Sequence, residues 1–559
     1  MTRPSLAIGV DVGSTNVKVV AVSADGSLLA HQQRSLASDE RPPVCEQDPE
    51  QIWEAVLEGV AACVAEVAPA PAGPAPTVAI GVASQYSSTV PVRADGAPTG
   101  PVVMWGDRRG TDACRRLLAT PGNFELWVER HGIPPIGGGL SLGHVLHLIA
   151  EDPHGDSRFV EVMDYVTARL TGRVTATRHT MFTTQLCDNR SAAAWAAGDA
   201  SQPDTANATT AALRYDPELL AASGIDPARL PELVAPDRPV GEVTPEVAAR
   251  LGVAARSTVA TGINDTAAAA LATGAAAQGD GGHLDVDHGD AARLGVDSDD
   301  AVDLDDGAPQ TGVIAGLAIG TTAVLVTSAP GKAEDLDHEI LSMPAPDGGY
   351  LVMAENGLGG RVPEAFLALL DGAGAVAAGQ FAEAEVALAS TEPGAGGVLC
   401  LPWLAGSMAP AGSDTARGGL VGVSLATTRS QLIRATFEGV GHNLAWLLRH
   451  VEAFIGETIV ELRLTGGGAE VAGWPQVIAD VVNRPVRVVA DPSVAVARAA
   501  ALRALAQVSD RSAAPAESAS PEPVLSSNPE TRAVYDGHQR AFEATFEALG
   551  PVWNLLSSS

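Results

Sequence analysis

Two segments, one in each half of the chain, have the same order of strand, glycine turn and strand, and both turns carry small hydroxyl residues. The first runs Leu6-Ala-Ile-Gly-Val-Asp-Val, then Gly13-Ser-Thr-Asn, then Val17-Lys-Val-Val-Ala-Val; the second turn is Ile319-Gly-Thr-Thr-Ala. Alternating apolar residues on either side of a polar tight turn predict a β-hairpin. Glycine lets the main chain approach a ligand closely, and main-chain N–H groups together with Ser or Thr hydroxyls suit a phosphate. Gly13, Ser14 and Thr15 supply these groups in one half and Gly320, Thr321 and Thr322 in the other, so two turns facing across a cleft would grip one nucleotide's phosphates. Asp265 lies between the turns in sequence, in Thr261-Gly-Ile-Asn-Asp-Thr-Ala-Ala-Ala-Ala-Leu. A carboxylate bracketed in this way suggests phosphoryl transfer to a hydroxyl. Asp11, at the start of the first turn, is placed to hold Mg2+, through water because magnesium sheds its waters reluctantly. Lys18 would reach a phosphate as a point charge.

Length and charge narrow the field. A chain of 559 residues exceeds one core and divides into roughly three or four units, or two large ones. A formal charge of -32 disfavours nucleic acid and anionic membrane surfaces, leaving a small, locally recognised ligand. The five cysteines form no C-x-x-C pair, which argues against a disulfide framework or zinc ribbon and for a reducing cytoplasm. No basic and apolar leader and no span-length apolar run is present. Lysine occurs only at Lys18 and Lys332, and no G-x-x-x-x-G-K-[ST] exists, so a P-loop cannot supply the nucleotide site.

Helical spacing of Ile52, Val56, Val60 and Val64 predicts a helix over 48–67, with Asp48 as N-cap, Pro49 at N1 and Gln51 closing a capping box. Val78–Ala83 reads as a strand ending at Ser84-Gln85-Tyr86, and Val102–Trp105 as another ending in Gly106-Asp107. Side chains just past strand ends line the crevice in layered α/β folds, which makes Gln85, Tyr86, Trp105 and Asp107 substrate-pocket candidates. In the second half, Thr428 and Gln431 form a capping box for a helix ending at Gly456, and a strand from Ile459 meets Gly466-Gly467-Gly468. Residues 279–310 hold ten aspartates and few apolar residues, and read as a mobile surface insertion. Within it His283, Asp285, Asp287 and His288 are better explained as chance in an acidic loop than as a metal site. His144 and His147, one helical turn apart, are better explained as a packed or surface pair.

The run Gly418-Gly-Leu-Val-Gly-Val-Ser-Leu-Ala-Thr-Thr-Arg-Ser-Gln-Leu-Ile-Arg-Ala-Thr-Phe-Glu438 resembles the second signature of the FGGY carbohydrate kinases, members of the actin/Hsp70-like ATPase superfamily. The order of the phosphate loop, the E-Q-D-P-E segment at 46–50, Gln85, Trp105 to Asp107, Asp265, the Gly-Thr-Thr turn and Gly466-Gly-Gly also matches. The resemblance implies two actin-like (ribonuclease H-like) α/β domains, 1–254 on the sugar side and 255–510 on the nucleotide side, with 511–559 a linker and C-terminal helix. It implies Asp265 as general base, Asp11 at the metal, and Gly320 to Thr322, Gly360, Gly467 and Gly468 near the nucleotide. Gln85, Trp105 and Asp107 would face a sugar. The implied reaction moves the γ-phosphate of ATP to a hydroxyl of a ketopentose or polyol, D-xylulose first, in a cytoplasmic enzyme that could dimerise. Another polyol or sugar acid (glycerol, erythritol, gluconate) and a catalytically silent nucleotide sensor remain alternatives, because Tyr86-Ser87-Ser88 and the histidines at 144 and 147 depart from the family pattern.

Each feature alone has a plainer explanation: Asp265 would cap a helix, Trp105 would fill a core, and a D-x-G-S hairpin is most often only a turn. Their ordered co-occurrence outweighs these.

Overall fold

The computed structural model describes residues 6–68, 75–190, 213–276, 312–346, 348–372, 380–509 and 523–557. The acidic segment 279–310, with its histidines and aspartates, lies outside the described residues. Among the described residues no helix is long and apolar enough to cross a membrane.

The first hairpin forms around its polar glycine turn, though β1 is buried almost continuously rather than alternating. Strands β1 (Leu6–Val12), β2 (Asn16–Ser23) and β3 (Leu28–Ser35) run antiparallel in chain order. Helix α1 (Pro49–Val67) buries Ile52, Val56, Val60 and Val64 and is capped by Asp48, whose carboxylate accepts the Glu50 N–H at 2.9 Å. The expected capping box does not close, because the Gln51 carbonyl accepts the Ala37 N–H instead, at 3.0 Å. Strand β4 (Val78–Ser84) then pairs parallel to β1. After α2 (Ser141–Glu151) and α3 (Val162–Thr171), strands β5 (Gly241–Glu242), β6 (Thr258–Val259) and β7 (Ile263–Asn264) complete a sheet of order β5-β6-β4-β1-β2-β3, with β7 also on β4.

Helix α4 (Asp265–Thr273) leads to a second sheet of the same plan. Strands β8 (Val313–Ile319), β9 (Thr322–Ala329), β10 (Glu334–Asp335), β11 (Ile340–Pro344) and β12 (Tyr350–Leu358) come first. Then follow α5 (Arg361–Leu370), α6 (Arg429–Ile455), β13 (Ile459–Thr465), α7 (Trp474–Val482), β14 (Val486–Val488), α8 (Ala495–Ser509), β15 (Val524–Leu525) and α9 (Arg532–Ser557). The order is β10-β11-β12-β9-β8-β13-β14-β15. In both sheets the first hairpin strand is central, flanked by its antiparallel partners on one side and by parallel strands on the other.

The helices between the sheets are exchanged. Helix α8, from the second half, lies on the first sheet so closely that a Cβ on Gly9 or Gly81 would collide with the carbonyls of Ala497 and Ala500. Helix α4, which follows the first sheet, buries Ala267, Ala268 and Ala270 with Val326, Met343 and Leu351 of the second. This explains the runs of alanine in both helices: only small side chains let helix and sheet backbones approach so far. It also explains why β1 and β4 are almost entirely apolar, Asp11 and Ser84 near their ends excepted, since a strand covered on both faces does not alternate.

Two expected boundaries are corrected. A division at residue 254/255 precedes β6, which pairs with β4 and belongs to the first sheet. Burial pattern alone does not reveal which sheet a short strand joins. The expected linker and C-terminal helix of 511–559 also contain a strand, because β15 pairs with β14 at the edge of the second sheet, and the terminal helix runs from Arg532 to Ser557. That helix is an integral part of the second half: Tyr535 is buried and donates its hydroxyl hydrogen to Glu438 at 2.8 Å, while Arg434 of α6 pairs with the same carboxylate at 2.6 Å.

Candidate active site

Both glycine turns lie at strand ends and hold their carbonyls away from the cleft. In the first, the Gly13 N–H donates to the Asn16 carbonyl at 2.9 Å, and the Thr15 carbonyl accepts the Leu36 N–H at 2.8 Å. The Ser14 carbonyl accepts from Gln47 Nε2 at 2.6 Å and from Ser38 Oγ at 3.4 Å. The N–H groups of Ser14 and Thr15 have no partner among the described residues. In the second turn the Gly320 N–H donates to the Thr322 carbonyl, and the carbonyls of Gly320 and Thr321 accept the N–H groups of Gly360 and Gly359 at 2.8 and 2.9 Å. The Thr321 N–H is likewise without a partner among the described residues. A peptide whose carbonyl is tied back presents its neighbour's N–H outward, and successive outward N–H groups form an anion-binding concavity.

The carboxylates come together through strand register. Asp11 on β1 stands opposite Ala83 of β4, and Asn264 on β7 stands opposite Ser84 on the other side of β4. Asp11 and Asp265 therefore flank the end of one strand at roughly 10 Å, two inter-strand spacings. The Asn264 side chain accepts the Ala267 N–H and is the N-cap of α4, so Asp265 occupies the first helical position, where one carboxylate oxygen accepts the Thr266 N–H at 2.8 Å. Burial is the main force raising the Asp11 carboxyl to about 6, with Lys18 acting against it. Burial, then the negative charges of Asp11 and Glu355, raise Asp265 to about 7. Glu355, which the sequence reading missed, is itself raised to about 7 by burial, with Arg108 opposing. It follows Leu351 and Met353 on the face of β12 turned toward α4. A lone acid on an otherwise apolar strand face was the available signal.

Among the described residues no three His, Cys, Asp or Glu side chains form a metal cage. A magnesium ion brought by nucleotide phosphates needs only one or two carboxylates, and Asp11, half-buried and poorly neutralised, suits it. The Lys18 ammonium donates to the Ser493 carbonyl at 2.7 Å, which ties β2 to the other half rather than leaving it free in the cleft. Of the Gly466-Gly467-Gly468 loop, Gly466 (φ +91°) and Gly468 pack against Ile319 at the end of β8. Only Gly467 faces open space, so Gly468 supports the loop from below.

On the other side of the cleft, two expected sugar-facing residues are corrected. Asp107 is fully buried, and its oxygens accept the Cys45 and Arg109 N–H groups at 2.9 Å and the Arg109 guanidinium at 3.0 Å. Gln85 is 4 % exposed and donates Nε2 to Gln47 Oε1 at 2.9 Å. Both were expected in the crevice because they follow strand ends, and both instead brace the loops there. Tyr86 is half-buried, donates to the His179 carbonyl at 2.9 Å and has the rings of His179 and Phe182 at 6.5 and 6.3 Å. Ser87 adopts φ 50°, unusual for a residue with a Cβ, and Ser88 is pinned by its N–H to buried Glu161 at 2.9 Å. Trp105 is half-buried, and its carbonyl accepts from Arg108 at 2.8 Å. Arg108 is exposed, and its charge reaches Glu355 on the opposite sheet. His144 is buried and pushed down to about 3 by burial, hence neutral.

Residues 6–272 match the N-terminal domain, and residues 316–508 the C-terminal domain, of the FGGY family of carbohydrate kinases. The chain is 26 % identical to the xylulose kinase of Streptomyces coelicolor, covering 86 % of this chain and 84 % of that one. It is 29 % identical to the glycerol kinase of Trichlorobacter lovleyi, covering 86 % of each. It is 22 % identical to the gluconokinase of Bacillus subtilis, covering 86 % and 84 %. Its fold superposes on a gluconate kinase and a ligand-bound xylulose kinase from Lactobacillus acidophilus, each with TM-score 0.76, 19 % identity and 99 % of both chains covered. The two sheets, their paired glycine turns and both domain matches place this chain in the FGGY family of carbohydrate kinases, ATP-dependent phosphotransferases that act on an alcohol group.

Proposed function

We propose that the protein transfers the γ-phosphate of Mg-ATP to a hydroxyl of a ketopentose or polyol, with D-xylulose the leading acceptor. The observation that carries this reading is the position of Asp265: capping of α4 falls to Asn264, and the Asp265 carboxylate stands at the strand ends across from Asp11. Asp265 would take the acceptor's hydroxyl proton at its carboxylate oxygen. The base need not be strong, because phosphoryl transfer passes through a loose transition state and positioning does most of the work. The outward N–H groups of Ser14, Thr15 and Thr321 would orient the phosphates. Asp11 would hold magnesium, which when bound there neutralises phosphate charge. Xylulose kinases among the relatives at 26 % identity support the acceptor.

A sugar acid is the second reading. Arg108 supports it, since an exposed guanidinium held by the Trp105 and Asp107 carbonyls at 2.8 and 3.2 Å presents its other nitrogens to a carboxylate.

The test is ADP release with Mg-ATP across a panel of ketoses, polyols and sugar acids, with Asp265→Asn alongside. D-xylulose should stimulate most, and the variant should lose the stimulation. Stronger stimulation by gluconate would favour the second reading, and none by any compound would leave a nucleotide-binding protein without transfer.

A further inference from the structure

The loop that precedes α1 reaches the first phosphate turn through a buried chain of amides. Gln47 is 3 % exposed and sits on the short strand Glu46–Gln47. Its Nε2 donates to the Ser14 carbonyl at 2.6 Å and to Ser38 Oγ at 3.1 Å, while its Oε1 accepts from Gln85 Nε2 at 2.9 Å. Gln85 is anchored in turn, since its main-chain N–H donates to the Val12 carbonyl at 2.8 Å. Reversing the Gln47 amide would set its oxygen against the Ser14 carbonyl, so the chain has one direction.

We propose that Gln47 is a positioning residue for nucleotide phosphate: by holding the Ser14 carbonyl back, it turns the Thr15 N–H, which shares that peptide plane, toward the cleft, and Gln85 fixes Gln47 in that orientation. Nothing else among the described residues does this for Ser14 except the longer contact from Ser38. The chain also runs from the strand end that carries Tyr86 to the first glycine turn, so these two parts of the first half share one hydrogen-bond path. This inference rests on the phosphate-binding role of the Gly13–Thr15 turn.

The experiment uses the full-length protein and calorimetric binding of two probes, a non-hydrolysable Mg-ATP analogue and adenosine. The wild type should bind the analogue much more tightly than adenosine. Gln47→Leu should weaken the analogue about tenfold, the worth of one well-made buried hydrogen bond, and leave adenosine within twofold. Gln47→Glu keeps the shape and an acceptor for Gln85 but sets charge against the Ser14 carbonyl, and it should weaken the analogue at least as much. Gln85→Leu should have a smaller effect that disappears in the Gln47→Leu background. Retention of analogue affinity within twofold in both Gln47 variants would overturn the proposal, as would equal weakening of adenosine. A wild type that binds the analogue no better than adenosine would overturn the phosphate role of the turn, and this proposal with it.

Discussion

The two glycine turns are held by different means. The second is held by main chain: Gly359 and Gly360 donate their N–H groups to its carbonyls, and their missing side chains make the approach possible. The first is held by side chains from outside its hairpin, Gln47 and Ser38, with the Leu36 N–H. A backbone clamp is broken by adding an atom, whereas a side-chain clamp is broken by removing one. The halves therefore repeat in topology but not in the residues that make each turn work, and a search for repeated sequence would miss the correspondence.

The comparison has a reference point in chemistry that depends on neither clamp. Asp265→Asn should lower kcat by about 10² to 10⁴ with Mg-ATP affinity within twofold, read by steady-state kinetics and calorimetry. Loss of nucleotide binding in this variant would mean that the carboxylate acts through the turns. Next comes the backbone clamp. A Cβ on Gly359 or Gly360 would lie 2.7 Å from the Thr322 or Gly320 carbonyl, and neither backbone can yield easily. Gly359→Ala and Gly360→Ala should each raise the KM for ATP by about 10- to 100-fold, corresponding to about 1–3 kcal/mol of overpacking. If they do less than Gln47→Leu, the second turn is the more tolerant one and the contrast is reversed. Smallest is Ser38→Ala, about twofold in ATP affinity, because its 3.4 Å contact is long for a hydroxyl donor.

The acid cluster gives the comparison a pH axis. Asp11 at about 6 and Asp265 and Glu355 at about 7 lie above the ordinary carboxyl values of 3.8 and 4.5, so folding favours their protonated forms. The stability they contribute is present below about pH 4 and is lost as pH rises through 6 to 7, so the melting temperature of the ligand-free protein should fall over that window. Activity has the opposite sign, since the base must be ionised: kcat/KM should rise to a plateau with an apparent midpoint that belongs to the cluster as a whole. Glu355→Gln removes a negative neighbour and should move that limb to lower pH. An unmoved limb would separate Glu355 from the base.

Much of the site was legible because its parts are local. The hairpin around Gly13–Thr15, the Thr428–Gln431 capping box and the helix ending at Gly456 all depend on residues a few positions apart, and all appear. The Gly418–Glu438 run marked the family well, yet much of what it encodes is packing: Arg434 and Glu438 are buried against Tyr535, away from the phosphate turns. Gln85 and Asp107 were misread because a polar residue past a strand end can point inward to a partner far away in sequence, 38 positions to Gln47 and 62 to Cys45.

By itself the sequence determined two hairpins with hydroxyl-rich turns, the carboxylate between them and the family they resemble, since these follow from periodicity, turn chemistry and motif order. Only the tertiary structure decided that β6 and β7 pair in the first sheet, that α4 and α8 cross between the sheets, that Gln47 holds the Ser14 carbonyl, and that the charge of Arg108 reaches Glu355. The reason is physical: strand pairing and helix docking are won by long-range burial of backbone and apolar surface, and local propensity carries no record of which distant surface will be there.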